Sequence, residues 1–314
     1  MDIVLLFPGQ GSQKPGMGKD LAAAFPAARE AFAEADAALG ESLSALCYEG
    51  PAETLTLTNN AQPALLAHGA AVWATTREAL QGSVRAAAGH SLGEFTAYHA
   101  AASLTLTAAV RLVRQRGDLM AHAGAERPGA MAAILGDLSE SVDVICAQAS
   151  LEPDSGLVVA ANYNSPGQVV ISGEVPGVER AMALCKLAGA KRVMRLNVSG
   201  AFHSPLMAPA RAGLAAAIGN AAFRDPTLPV FANVTADVVR DAETAQRLCV
   251  EQLTAPVRWT DLVRRLAADY PAALYVEMGP GAVLTGLLKK IAPSLQTATC
   301  GTAADVDQLL ARVS

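Results

Sequence analysis

Val84-Arg85-Ala86-Ala87-Ala88 runs directly into Gly89-His90-Ser91-Leu92-Gly93. The first five residues have the length of a buried strand, and the residues after Gly93 follow a helical pattern. The two glycines therefore bracket a sharp strand-to-helix turn. A turn that tight forces its central serine into strained backbone geometry, and glycine two positions to either side removes Cβ atoms that would collide. The Ser91 hydroxyl then stands clear of the sheet, and amides opening the next helix face the same point. Negative charge developing there meets donors and the positive helix end. The string predicts a nucleophilic serine on an α/β scaffold and fits any serine acyl chemistry.

Outward from the turn, apolar runs alternate with helical patterns, as in an α/β protein with a largely parallel sheet. Residues 2–7 read as the first strand, closed by Pro8, Gly9 and Gly11, with further strands at 228–232 and 273–278. The middle of the chain changes rhythm. Strands at 130–135, 157–162, 168–173 and 191–197 and helices at 138–149 and 176–188 follow in the order β-α-β-β-α-β, a ferredoxin-like unit. The expected organisation is a large α/β domain over 1–127 and 199–314, with a small ferredoxin-like subdomain inserted over 128–198.

A serine nucleophile needs a base, and five histidines are present. His90 adjoins Ser91 and reads as a support for the turn. His68, His99 and His122 fall in helical patterns, where a hydrogen-bonded structural histidine is expected. His203 sits in a loop, Gly200-Ala201-Phe202-His203, ahead of the helix-start pair Ser204-Pro205. Its residue type and loop position suit a base as well as a structural role.

The helical stretch 108–122 places Leu112, Val113, Leu119 and Met120 on one face and Arg111, Arg114, Gln115 and Asp118 on the other. Arg116 falls in the apolar face. A guanidinium there needs an anion or a route to solvent. It serves either a structural salt bridge or a receptor for a substrate carboxylate, held bidentately. In the second case the acyl group carries a free carboxylate, and malonyl is the simplest such group.

Composition narrows the class. The 314 residues are 52% hydrophobic and 17% charged, enough apolar matter for a substantial core. Apolar runs stop far short of a membrane span, and MDIVLLFPGQ lacks the basic start of a signal peptide, so the expected compartment is the cytoplasm. Five cysteines at no metal-ligand spacing read as reduced thiols, and no metal is expected. A formal net charge of −5 argues against a general nucleic-acid binder. The Walker A and dinucleotide patterns fail, because Gln13 and Lys14 stand where each requires glycine.

Phe7-Pro8-Gly9-Gln10-Gly11-Ser12-Gln13, the GHSLGE run at 89–94, Arg116-Gly117, Asn162-Tyr163-Asn164-Ser165-Pro166-Gly167-Gln168, GAFH at 200–203 and Glu277-Met278-Gly279-Pro280-Gly281 occur in that order. With these motifs the chain resembles, nearly end to end, malonyl-CoA:acyl carrier protein transacylases and the related acyltransferase domains of polyketide synthases. The resemblance implies an α/β hydrolase-like core carrying the ferredoxin-like insertion, and a ping-pong malonyl transfer through Ser91, with His203 as base. It implies that a main-chain carbonyl near Gln252 orients the base, and that the backbone amides of Gln10 and Leu92 form the oxyanion hole. Arg116 would clamp the malonyl carboxylate, with Gln252, Phe202 and Asn162 also expected on the substrate. Phe202, immediately before the base, resembles malonyl-selective rather than methylmalonyl-selective enzymes, and Leu92 agrees.

No cofactor is implied, and malonyl-CoA enters as substrate. The implied partner is an acidic acyl carrier protein, for which Lys191, Arg192 and Arg195 and the pair Lys289-Lys290 are candidate docking residues. A monomer is expected, with neither nucleic acid nor membrane as partner. The same chemistry serves fatty acid synthesis, a polyketide assembly line lacking its own acyltransferase, or malonate decarboxylase. A serine thioesterase or hydrolase shares the turn but not Arg116 or the 7–13 run. A non-catalytic carrier-docking subunit is the remaining alternative.

Overall fold

The computed structural model describes residues 1–313. Among the described residues ten strands form two sheets. The larger has the order β10-β9-β1-β2-β7-β8, built from β1 (Ile3–Phe7), β2 (Val84–Gly89), β7 (Val230–Phe231), β8 (Val238–Val239), β9 (Leu274–Met278) and β10 (Gln296–Cys300). All its pairings are parallel except β7 with β8. β1 is buried along its whole length, as a run of five apolar residues requires. Ile3, Leu5 and Phe7 enter one hydrophobic layer, while Val4 and Leu6 enter the other. That alternation makes the region a three-layer sandwich with helices on both faces.

Phe7 pairs with Gly89, so the carboxyl ends of β1 and β2 lie side by side. The loops after them, Pro8–Gln13 and His90–Leu92, are thereby brought together at the edge where open α/β sheets place their ligands.

The second sheet comprises β3 (Gly129–Leu135), β4 (Val158–Ser165), β5 (Gln168–Glu174) and β6 (Arg192–Arg195). It is antiparallel throughout, in the order β6-β3-β5-β4. Counted within the unit, the strand order is 4-1-3-2, the ferredoxin-like arrangement read from the sequence. Its helices, Val142–Leu151 and Val175–Leu187, pack on one face over Ala132, Ile134, Val158 and Ile171. β4 is tied to the large unit, because Tyr163 N–H donates to Val257 O and Val257 N–H to Ala161 O. The Thr260 hydroxyl adds a bond to Tyr163 O. Asn162 and Asn164 are thus held over the sheet edge that carries Ser91.

Several elements differ from the sequence reading. β10, Gln-Thr-Ala-Thr-Cys, is an edge strand with little apolar content and no hydrophobic run to announce it. The expected strand at 228–232 shortens to Val230–Phe231, and the one at 191–197 to Arg192–Arg195. Among the described residues no helix is long and apolar enough to cross a membrane.

Candidate active site

Ser91 has φ 52°, the left-handed region that side chains avoid. The glycines around it are there for close backbone packing. A Cβ on Gly89 would strike the Gly93 carbonyl, and one on Gly93 would strike the Phe7 carbonyl oxygen. A Cβ on Gly9 would meet the His90 carbonyl oxygen, so the loop after β1 can lie directly on the turn only without side chains there. Asn233, just past β7, staples the turn. Its Nδ2 donates to Gly89 O at 2.7 Å, and its Oδ1 accepts the Ser91 N–H at 2.6 Å.

His203 also has positive φ, 56°. Ser204 holds its loop by donating to Ala201 O and accepting from the Leu206 N–H. The His203 ring is nearly inaccessible to solvent, with Nε2 2.7 Å from Ser91 Oγ and Nδ1 2.9 Å from Gln252 O. A carbonyl can only accept, so Nδ1 carries the proton and Nε2 is the bare acceptor for the serine hydroxyl. Gln252 caps the helix Ala242–Glu251, so its carbonyl belongs to the negative helix end. That end stands where an acidic residue would otherwise orient the imidazole. Burial foremost, and then the positive Arg116, lower the His203 pKa to about 3, so the ring is neutral at physiological pH.

Arg116, on the helix Leu106–Glu126, is 1% exposed. Its Nη1 donates to Gln62 Oε1 at 2.6 Å and its Nη2 to Gln252 Oε1 at 2.9 Å. Nη2 also lies 3.3 Å from Ser91 Oγ, and the guanidinium sits 5.4 Å from the Phe95 ring centre. Gly117 permits this arrangement, because a Cβ there would collide with the Asn59 backbone of the neighbouring helix Thr58–Leu80, which carries Gln62. Every acceptor around Arg116 is neutral, and among the described residues no carboxylate pairs with it. Among the described residues the structural salt bridge is therefore absent. Burial lowers the Arg116 pKa to about 10, which still leaves it charged.

A cavity of about 200 Å³ opens above these groups. Ser91, His203, Arg116, Gln10, Leu92, Asn162 and Phe202 all line it. Among the described residues neither the Gln10 nor the Leu92 N–H finds a protein acceptor. The Gln10 side chain is held by the Thr58 hydroxyl at 2.9 Å. Met131, Val170 and Leu196, from the antiparallel sheet and its exit, complete the apolar wall.

Gln252 lies beneath the cavity rather than on its wall. Its carbonyl holds His203, and its amide joins Arg116, Ser91 O and Glu94. His90 supports the turn by bonding Asn164 Oδ1 at 2.8 Å. His68 and His99 bond backbone carbonyls, and His122 pairs with Glu126 at the surface. Lys191, Arg195 and Lys289 are exposed and outside the cavity, with Arg195 paired to Glu179. Sequence reasoning missed Gln62 and Asn233 and gave Glu94 no role. Asn233 reaches the turn from 142 positions away, and its only local signal is its place directly after a strand.

A strained serine, a neutral histidine acceptor and two unpaired amides around one cavity define a serine acyl-transfer site. The chain belongs to the acyl transferase family: the acyl transferase domain matches residues 4–307. It is 45% identical over 295 residues to the malonyl CoA-acyl carrier protein transacylase of Bacillus subtilis, covering 94% of this chain and 92% of that one. The crystal structure of an acyl-carrier-protein S-malonyltransferase from Bartonella henselae superposes with a TM-score of 0.93 at 41% identity, covering 100% and 99% of the two chains. A malonyl-transacylase in complex with a type II PKS acyl-carrier protein gives 0.93 at 42% identity, covering 99% and 100%.

Proposed function

We propose that this chain transfers a malonyl group from malonyl-CoA to the phosphopantetheine thiol of an acyl carrier protein, in fatty acid or polyketide synthesis. The observation that carries the reading is Arg116, a buried cation with no anionic partner among the described residues, whose Nη2 lies 3.3 Å from Ser91 Oγ. Leaving such a charge unpaired is costly, and an incoming carboxylate removes the cost while fixing the acyl group beside the nucleophile.

In the first half-reaction His203 Nε2 takes the Ser91 proton, and Oγ attacks the malonyl thioester carbonyl. The amides of Gln10 and Leu92 hold the oxyanion, and the negative helix end at Gln252 stabilises the imidazolium. As the intermediate collapses, the carbon–sulfur bond breaks and His203 returns the proton to the departing coenzyme A thiolate. In the second half the carrier's thiol gives its proton to His203 and attacks the malonyl-serine ester. The carbon–oxygen bond breaks, and Ser91 regains the proton.

Arg116 serves both halves, with Asn162 and Phe202 shaping the cavity around the acyl group. A groove of about 420 Å³ that shares Gln10 and Val198 with the cavity is a fitting path for the pantetheine arm. Lys191, Arg195 and Lys289 are the residues proposed to meet an acidic carrier, and the cytoplasm is the proposed compartment. No resident cofactor takes part in this mechanism.

Mass spectrometry of the protein mixed with malonyl-CoA tests the reading. A malonyl mass on the peptide containing Ser91 is expected, and its absence excludes the mechanism. Arg116→Ala is expected to lower malonyl transfer by ~100-fold or more, with acetyl uptake far less affected. Unchanged malonyl transfer in that variant removes the clamp.

A further inference from the structure

Glu94 is fully buried, and among the described residues no cation pairs with it. Its Oε2 accepts from Asn233 N–H at 2.9 Å and from Gln252 Nε2 at 2.7 Å, while Oε1 lies 3.5 Å from the Tyr98 hydroxyl. The buried Cys249 thiol and Arg116 are the other titratable groups close enough to act on it. Burial raises its pKa to about 7, opposed by these donors and by Arg116. A carboxyl group in so dry a place is expensive unless its bonds accomplish something.

The Gln252 amide shows what they accomplish. Its Nε2 faces two acceptors, Ser91 O at 3.0 Å and Glu94 Oε2, the carboxyl oxygen that also takes the Asn233 N–H. Both N–H bonds are spent there, so Oε1 is forced toward Arg116 Nη2 at 2.9 Å. Without the Glu94 acceptor one Nε2 proton loses its partner, and the amide, held on that side by Ser91 O alone, is free to swing away from the guanidinium. A carboxylate bonded directly to Arg116 would fix the guanidinium too, but would neutralise the charge a substrate carboxylate needs. One interposed amide orients the cation and leaves it unpaired.

We infer that Glu94 is a positioning residue for carboxylate recognition: through Gln252 it locks Arg116 in the orientation that receives the free carboxylate of the acyl group. This rests on the proposed role of Arg116 as the carboxylate receptor.

The test compares kcat and KM for malonyl-CoA and acetyl-CoA, with the same carrier thiol, in Glu94→Met, Gln252→Met and the double variant. Glu94→Met is expected to lower the malonyl-to-acetyl ratio of kcat/KM at least ten-fold, chiefly through KM for malonyl-CoA. Gln252→Met, which keeps the carbonyl that holds His203, is expected to do the same. The double variant should discriminate no worse than Gln252→Met alone, because both losses act on one amide. Glu94→Gln keeps an acceptor oxygen and should restore the ratio to within about three-fold of the unmodified enzyme.

An unchanged ratio in Glu94→Met overturns the assignment. So do losses that multiply in the double variant, or a Glu94→Gln as defective as Glu94→Met. If Glu94→Met does not fold, Gln252→Met and Glu94→Gln decide: an unaltered ratio in the first, or a ten-fold loss in the second, overturns it. Arg116→Ala separates the two levels. If it leaves malonyl preference intact, the receptor itself is misassigned; if it alone destroys the preference, only the role of Glu94 falls.

Discussion

The two sheets carry their polar groups in opposite ways. At the carboxyl edge of the parallel sheet, Glu94, Arg116, His203, Asn233 and Gln252 are all buried and bonded into one network around Ser91. The antiparallel unit instead packs an apolar core under its helices and pairs its charges outside, as in Arg180–Glu152 and Arg195–Glu179. Exposed pairs of that kind contribute little to stability, whereas a buried network is costly to assemble and costly to disturb. The contrast separates two tasks. The parallel edge holds reacting groups in fixed directions, and the antiparallel unit lends Met131, Val170 and Asn162 to the wall of the cavity.

The sharpest way to break this contrast is His203→Ala. It should slow malonylation of Ser91 by ~10²–10⁴-fold, followed in single-turnover assays, while circular dichroism stays unchanged. Asn233→Ala follows. Removing both staples strands the Ser91 N–H and the Gly89 carbonyl, at a cost of about 2–3 kcal/mol in denaturant unfolding, and slows malonyl and acetyl uptake alike. A loss confined to malonyl would assign Asn233 to the receptor instead of the turn.

Acidification should also strike the buried side. Burial lowers His203 to about 3 and His68 to about 4, against 6.5 for an ordinary histidine. Below pH 6.5 the unfolded chain therefore binds more protons than the folded one. Stability is present above 6.5 and lost as pH falls toward 4, by ~1.4 kcal/mol per pH unit for each histidine. Glu94, raised to about 7, has the opposite sign between 7 and 4.5 and offsets about one of the two histidines over that range, so a net loss remains. Chemical denaturation at pH 7, 6 and 5 reads the slope, and a flat profile contradicts neutral buried rings.

A smaller effect is expected from Phe202→Ser. It opens space beside the acyl group and should improve methylmalonyl relative to malonyl about ten-fold, near the worth of one methyl contact. Smallest of all, Arg195→Ala in the antiparallel unit should change unfolding stability by less than about 0.5 kcal/mol. A larger loss would mean that its exposed pair with Glu179 is more than a surface contact.

Much of this architecture was legible because it is written in local patterns. The apolar run of β1, the glycine-bracketed serine and the β-α-β-β-α-β order each fit within short windows, where chain periodicity reports burial. Arg116 announced itself as a charge on an apolar helix face, although periodicity alone left open whether its partner was internal. β10 stayed hidden because an edge strand needs no hydrophobic run. Gln62 and Asn233 stayed hidden because a polar residue in a helix or after a strand looks the same whether it meets water or a buried partner.

The sequence alone determined the kind of chemistry, since a serine on such a turn and a guanidinium among leucines are rare and costly choices. Tertiary structure decided how those groups are aimed. Gln252 stands 161 positions from Ser91, yet its one amide touches Ser91, Glu94 and Arg116. Hydrogen-bond direction depends on which donors and acceptors meet in three dimensions, and no local pattern in the chain encodes that meeting.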